Sequence, residues 1–494
     1  MKSIQKSLFL ISGPLLFLAM QFFSPPAGMS ESAYSLLSIT LWMALWWVTE
    51  SVPIAITALL PIILFPMTGA VDLQTTTASY GHKYIFLYMG GFMLAIAIEK
   101  WNLHKRIALN IIKVIGTNIS KIILGFMVAT AFLSMWISNT ATAVMMLPIA
   151  MSIVAQLQDN PNTEKKENLI FGKALMLSIA YSASIGGMAT LIGTPPNLVF
   201  AGYVQETYGI EITFFQWLKF GVPIAIPLLV IAWLYLTKFA FKFKQKEFPG
   251  GKEEINRLLV LIGPMKREEK LVSVIFVLTA FCWITRSFIL QEFFPFIDDT
   301  IIAMTAGILL FVVPASDFKK RLITWEDAVK LPWGIILLFG GGMALAAGFQ
   351  ITGLASWLGA QMTIFQGLSV LILVFVIITL VNFFTEFTSN LATTAMLLPI
   401  LAPIAISLNI NPYMLMVACT ISASCAFMMP VATPPNAVVF GSGYLRIPDM
   451  IKSGIWMNII SIIFLTLMVY YFLPIIWDFN LTDFSQFTTI KTPL

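Results

Sequence analysis

Charge is scarce in this chain. Of its 494 residues only 11% are Asp, Glu, Lys or Arg, against 58% hydrophobic, and the mean hydropathy is +0.88. A water-soluble domain needs far more charge to cover its surface. Histidine is limited to His82 and His104. That excludes a multi-histidine metal centre and leaves a membrane-embedded enzyme without a histidine base. The three cysteines, Cys282, Cys419 and Cys425, lie in apolar stretches and read as small buried hydrophobes. The apolar runs lack the period-two alternation of a barrel strand, so helices are the spanning element. Residues 122–160 and 361–445 contain no Lys or Arg, and the second stretch has one acid, Glu386.

What is abundant is apolar sequence in runs long enough to cross a ~30 Å hydrocarbon core. These predict about eleven transmembrane helices, near 7–23, 33–50, 51–69, 83–100, 170–192, 213–240, 269–291, 299–315, 332–349, 412–431 and 451–477. The first run has no small-residue cleavage site and reads as a membrane helix. Two further stretches, 119–157 and 365–408, are each interrupted by a Ser-Asn pair. The arm Ile122 to Ile137 would reach only ~24 Å as a helix, so a re-entrant hairpin fits better than a full crossing. If both stretches return to their own side, a cytoplasmic N-terminus puts Lys100, Lys105, Arg106, Lys319, Lys320 and Arg321 inside. It leaves 24–32, which has no Lys or Arg, outside. The stretch 238–270, with nine Lys or Arg, reads as a cytoplasmic linker. Residues 104–116 read as an interfacial helix, with Ile107, Ile111 and Val114 as its apolar face.

The two halves repeat. Gly90-Gly91-Phe92-Met93 parallels Gly340-Gly341-Gly342-Met343, where small residues predict close helix packing. The run from Ser134 through Ser138-Asn139-Thr140 to Pro148 parallels the run from Thr385 through Ser389-Asn390-Leu391 to Pro399, roughly 250 residues on. Ser182-Ala183-Ser184 and Thr194-Pro195-Pro196-Asn197 parallel Ser422-Ala423-Ser424 and Thr433-Pro434-Pro435-Asn436. An odd number of passes per unit makes the repeat inverted, which is the usual plan of secondary transporters.

Polar breaks at membrane depth need partners. A half-helix that stops leaves carbonyls able to bind a cation, and one that starts leaves N–H groups able to bind an anion. No basic side chain is available beside the motifs, so bound cations would supply the counter-charge for an anion. Neutral oxygens suit a hard monovalent ion such as sodium. Trp46-Trp47-Val48-Thr49-Glu50 admits two readings, Glu50 in a functional network or as a cap near the membrane surface. Glu386 also admits two, tuning the cation site or holding the second hairpin.

The paired motifs resemble those of the divalent anion:sodium symporter family, the dicarboxylate and citrate carriers, over nearly the whole chain. The resemblance implies an all-α polytopic membrane protein of the bacterial cell membrane, with scaffold and transport domains, two re-entrant hairpins in an inverted repeat, and an elevator motion in a homodimer. It divides the chain into scaffold helices with the interfacial helix (1–118), first hairpin and interrupted helix (119–240), linker (241–268), second scaffold half (269–362), and second hairpin and interrupted helix (363–494). One sodium site would use Ser134, Ser138, Asn139 and Gly193, the other Thr385, Thr388, Asn390 and Ala432. The carboxylates of a C4 substrate such as succinate, malate or fumarate would meet Asn139, Thr140, Thr194, Ser389, Asn390, Thr433 and Pro434. Leu391 stands where the family often has threonine, which removes one hydroxyl. The expected partners are therefore the dicarboxylate, sodium, the bilayer and a second copy, with no nucleic acid and no enzymatic activity. Open alternatives are an anion exchanger, a carrier of citrate or sulfate, a channel, and a membrane-embedded enzyme.

Overall fold

The computed structural model describes residues 2–116, 118–158, 165–243, 251–317, 319–362 and 367–487. Among them there is no strand beyond one isolated bridge between Pro314 and Arg321. Among the described residues nine helices are long and apolar enough to cross a membrane. Seven coincide with predicted spans, from Glu31–Thr49 to Ile447–Trp477. The other two are the outgoing arms of the interrupted stretches, Asn139–Gln156 and Asn390–Ser407. Arm length alone therefore does not make these stretches hairpins.

Several predicted spans are shorter or broken. The 51–69 run is two helices, Ile54–Thr57 and Leu60–Thr68. Pro53 caps the first and Pro61 enters the second, and the missing proline N–H groups divide the run. The 299–315 span is the 14-residue helix Asp299–Val312. The 412–431 span keeps only Tyr413–Ser422. The interfacial helix is present as Leu103–Ile115. Its buried face is Leu103, Ala108, Leu109 and Ile112, whereas Ile107 and Ile111 are half-buried and Val114 is 85% exposed. The correction has a simple cause. This helix packs along the first hairpin, with Ile112 against Gly125, so the face it buries is turned from the predicted stripe, of which Ile107 and Ile111 still touch the core. The linker contains a helix. Its helix Gly251–Ile262 docks on the outgoing hairpin arm, where Ser152 donates to Glu254 at 2.6 Å.

The glycine pairs do pack closely. A Cβ on Gly90 would collide with the backbone of Ala303, and one on Gly341 with the carbonyl of Ala58. These contacts seat helices Lys83–Lys100 and Trp333–Ile351 against their neighbours and fix one wall of the central cavity.

The interrupted stretches form two equivalent units. In the first, arms Ile119–Ser134 and Asn139–Gln158 both pack on Lys165–Gly187. That helix breaks and resumes as Pro195–Tyr208. In the second, arms Val370–Phe384 and Asn390–Ser407 both pack on Tyr413–Ser422, which resumes as Pro434–Phe440. The units interlock by exchange. Pro195–Tyr208 lies on the second hairpin's outgoing arm, and Pro434–Phe440 lies on the first's.

Candidate functional site: four helix starts around one cavity

The exchange brings four helix starts to one place. A cavity of about 540 Å³ is lined by Ser138-Asn139-Thr140, Gly193-Thr194-Pro195-Pro196, Thr388-Ser389-Asn390-Leu391 and Ala432-Thr433-Pro434-Pro435. All seven residues expected to meet the substrate are on this surface, as are Ser138, Gly193, Thr388 and Ala432. The first N–H groups of Asn139–Gln158 and Asn390–Ser407 have no intrahelical acceptor, so they and the positive helix ends suit an anion. Ser138 Oγ accepts from Ala141 N at 3.2 Å. Thr433 Oγ1 caps Asn436 N at the same distance. At Leu391 the backbone N–H remains although the hydroxyl is lost.

Ser134 and Thr385 lie one layer deeper and are fully buried. Their environments match. Ser134 Oγ lies 2.6 Å from the side-chain amide of Asn139 and donates to Ala183 O at 2.7 Å. Thr385 Oγ1 donates to Asn390 Oδ1 at 2.6 Å and reaches Ala423 O at 3.1 Å. The Asn139 amide faces Ser134 Oγ at 2.6 Å, Ala183 O at 3.1 Å and Gly193 O at 3.3 Å. Its nitrogen satisfies all three by donating. With its oxygen turned inward instead, oxygens converge with too few protons among them, which is a setting for a cation. Gly193 is tightly enclosed, because a Cβ there would stand 2.6 Å from Gly187 O and 3.0 Å from Ser134 O. Thr388 differs from its counterpart Ser138. Its hydroxyl already bonds Phe384 O at 3.0 Å and Thr393 Oγ1 at 2.7 Å, bracing the turn.

The two Pro-Pro-Asn asparagines hold the breaks open. Asn197 Nδ2 donates to Thr190 O at 2.7 Å and Gly187 O at 3.3 Å. Asn436 Nδ2 donates to Met429 O at 3.0 Å and Ala426 O at 3.1 Å. The second break is longer, and Glu386 explains why. Its carboxylate accepts from the backbone N–H groups of Phe427 (2.8 Å), Met428 (3.0 Å) and Met429 (2.9 Å) and from Asn458 Nδ2 (2.7 Å). Those N–H groups are thereby withdrawn from helix, which stops at Ser422. Met135 occupies the equivalent place in the first unit and offers no acceptor, and Lys165–Gly187 runs on. These bonds support the structural reading of Glu386.

A sequence profile described as the sodium:sulfate symporter transmembrane region matches residues 5–477. The chain belongs to the divalent anion:sodium symporter family. Members of that family are transporters rather than enzymes. Among curated relatives, sodium-dependent dicarboxylate transporters SdcS from Staphylococcus saprophyticus and Staphylococcus aureus USA300 are 46% and 47% identical over 480 residues. Each alignment covers 96% of this chain and 92% of the relative. Among solved structures, Neisseria gonorrhoeae MtrF, from a class described as antimetabolite efflux pumps, aligns at TM-score 0.54 and 14% identity, over 94% of this chain and 95% of its own. The Alcanivorax borkumensis YdaH transporter aligns at TM-score 0.54 and 12% identity, over 91% and 99%. These two show the fold.

Sequence reasoning on this family member missed two features. Beside Glu50, which the sequence already offered for a functional network, Ile54, Tyr88 and Ile335 line the cavity from outside the repeated motifs. The other is a partly buried charge network. Lys83 Nζ bridges Glu211 (3.1 Å) and Asp298 (2.8 Å), and Arg286, 2% exposed, bridges Glu211 (2.9 Å) and Asp299 (3.0 Å). No local pattern marks either feature, since each charge sits near a helix end and looks solvated in sequence.

Proposed function

We propose that this protein is a sodium-coupled symporter of C4-dicarboxylates such as succinate, malate and fumarate. The observation that carries this reading is the cavity itself. Two pairs of helix starts converge on it, no basic side chain lines it, and buried oxygen clusters lie directly beneath each Ser-Asn pair. Helix N-termini and Asn, Ser and Thr donors can hold two carboxylates but cannot neutralise them. Cations beside them do that, so anion affinity depends on sodium. Ser134, Ser138, Asn139 and the Gly193 carbonyl form one cation site. Thr385, Thr388, Asn390 and the Ala432 carbonyl form the other. Asn139, Thr140, Thr194, Ser389, Asn390, Thr433 and Pro434 meet the carboxylates. The relatives named as sodium-dependent dicarboxylate transporters agree with this choice of ion and substrate.

In this proposal both hairpins and both interrupted helices move as one block against a scaffold of residues 1–118 and 269–362, in a homodimer with the N-terminus cytoplasmic. Inverted repeats around a midplane site support such alternating access. The deciding experiment is radiolabelled succinate uptake into proteoliposomes. Uptake driven by an inward sodium gradient and lost when choline replaces sodium is expected. Uptake that persists in choline, or that requires internal dicarboxylate, would point to an exchanger instead.

A further inference from the structure

An anion cavity with one formal charge on its walls would be expected to carry a positive one, and here it is negative. Glu50 is the only charged residue lining the cavity. It caps the end of helix Glu31–Thr49 with φ 46 and ψ 36, the left-handed region. Glycine or asparagine is the low-strain choice at such a helix end. A long acidic side chain held there is a local strain, of the kind found at functional sites. No hydrogen bond or ion pair from any described residue reaches its carboxylate, and it is exposed. Glu386, the other acid near the cavity, is by contrast buried and held by four donors. Glu50 therefore has no role in holding the wall together through its charge.

Size does not select the substrate either. About 540 Å³ is an ordinary volume for a small-molecule pocket and admits a six-carbon triacid as well as a four-carbon diacid. Charge does differ between them. With two sodium ions beneath the motifs, a dianion is neutralised and a third carboxylate is not.

We propose that Glu50 is a specificity-determining residue that sets the charge limit of the substrate, admitting dianionic and rejecting trianionic carboxylates. The inference rests on the sodium–dicarboxylate reading above. A third carboxylate has only the scaffold wall left to face, and in partly screened surroundings like-charge repulsion from Glu50 is worth on the order of tenfold in affinity or more.

The test is competition binding on the purified full chain in sodium, with succinate as the diacid and tricarballylate as the triacid. Glu50→Gln should shift the triacid-to-diacid affinity ratio about tenfold toward the triacid, while Glu50→Asp keeps the original ratio. Glu50→Cys, with the three native cysteines replaced, separates charge from shape and serves if the glutamine variant fails to fold. An anionic thiosulfonate adduct should restore discrimination and a neutral adduct of similar size should not. An unmoved ratio in Glu50→Gln overturns the proposal. So does a raised sodium requirement with the ratio unchanged, which would assign Glu50 to cation capture. If the unaltered protein binds neither acid in sodium, the transport reading itself fails.

Discussion

At the scale of single residues, the proposed function assigns the buried oxygens beneath each Ser-Asn pair to the ion and the cavity-facing groups to the substrate. Asn139 and Asn390 touch both layers, since each lines the cavity and bonds the buried hydroxyl below it. Asn139→Ala or Asn390→Ala should reduce succinate uptake by at least about a hundredfold with the protein still folded. That loss equals two to three charge-assisted hydrogen bonds of ~1.5 kcal/mol, and uptake beside a melting curve checks it. Ser134→Ala removes an oxygen from the deeper layer only. It should raise the sodium concentration needed for half-maximal uptake several-fold, leaving succinate affinity at saturating sodium near its original value. Gly193→Ala places a methyl 2.6 Å from Gly187 O, so the carbonyl cluster must spread and sodium dependence should weaken or vanish. The place of the Ser-Asn motifs at helix starts on the cavity was legible in the sequence because their chemistry is local. A polar pair in an apolar run has to be satisfied, and it recurs in both halves. Glu50 was ambiguous because its neighbours Ile54, Tyr88 and Ile335 reach the cavity only through tertiary packing.

At the scale of elements, the two units show how one carboxylate changes a helix. Glu386 takes three successive backbone N–H groups, and the helix before them ends early. Glu386→Ala leaves those groups and Asn458 without their acceptor in a buried site. The expected cost is about 3 kcal/mol, visible as a lowered melting temperature in detergent together with loss of uptake. Glu386→Gln keeps one acceptor oxygen and should fall between. The sequence marked where each helix resumes, since the prolines of Thr-Pro-Pro suit the first turn of a helix and no later one. It did not reveal that the second break begins some ten residues before its prolines, because that depends on an acid from another helix. The 51–69 break was legible in Pro53 and Pro61 but was hidden by unbroken hydrophobicity.

At the scale of the whole molecule, the Lys83–Glu211–Arg286 network links the proposed scaffold, through Lys83 and Arg286, to the proposed moving block, through Glu211. If the block travels, that link must part in each cycle. A Lys83→Cys/Glu211→Cys pair in a background lacking Cys282, Cys419 and Cys425, joined by a short bis-thiosulfonate, should arrest uptake until a reductant releases it. Full uptake in the joined protein would rule out motion across this boundary. The two equivalent units were readable from repeat order and spacing, whereas the network was not, because its members are far apart in the chain.

The reciprocal seating of the resumed half-helices has an evolutionary and practical corollary. Pro195–Tyr208 rests on the second hairpin and Pro434–Phe440 on the first, so neither half owns a finished pocket. A chain cut within 244–250 would yield two fragments that are each inert toward dicarboxylate and active only on co-expression, as a padlock needs both its shackle and its body.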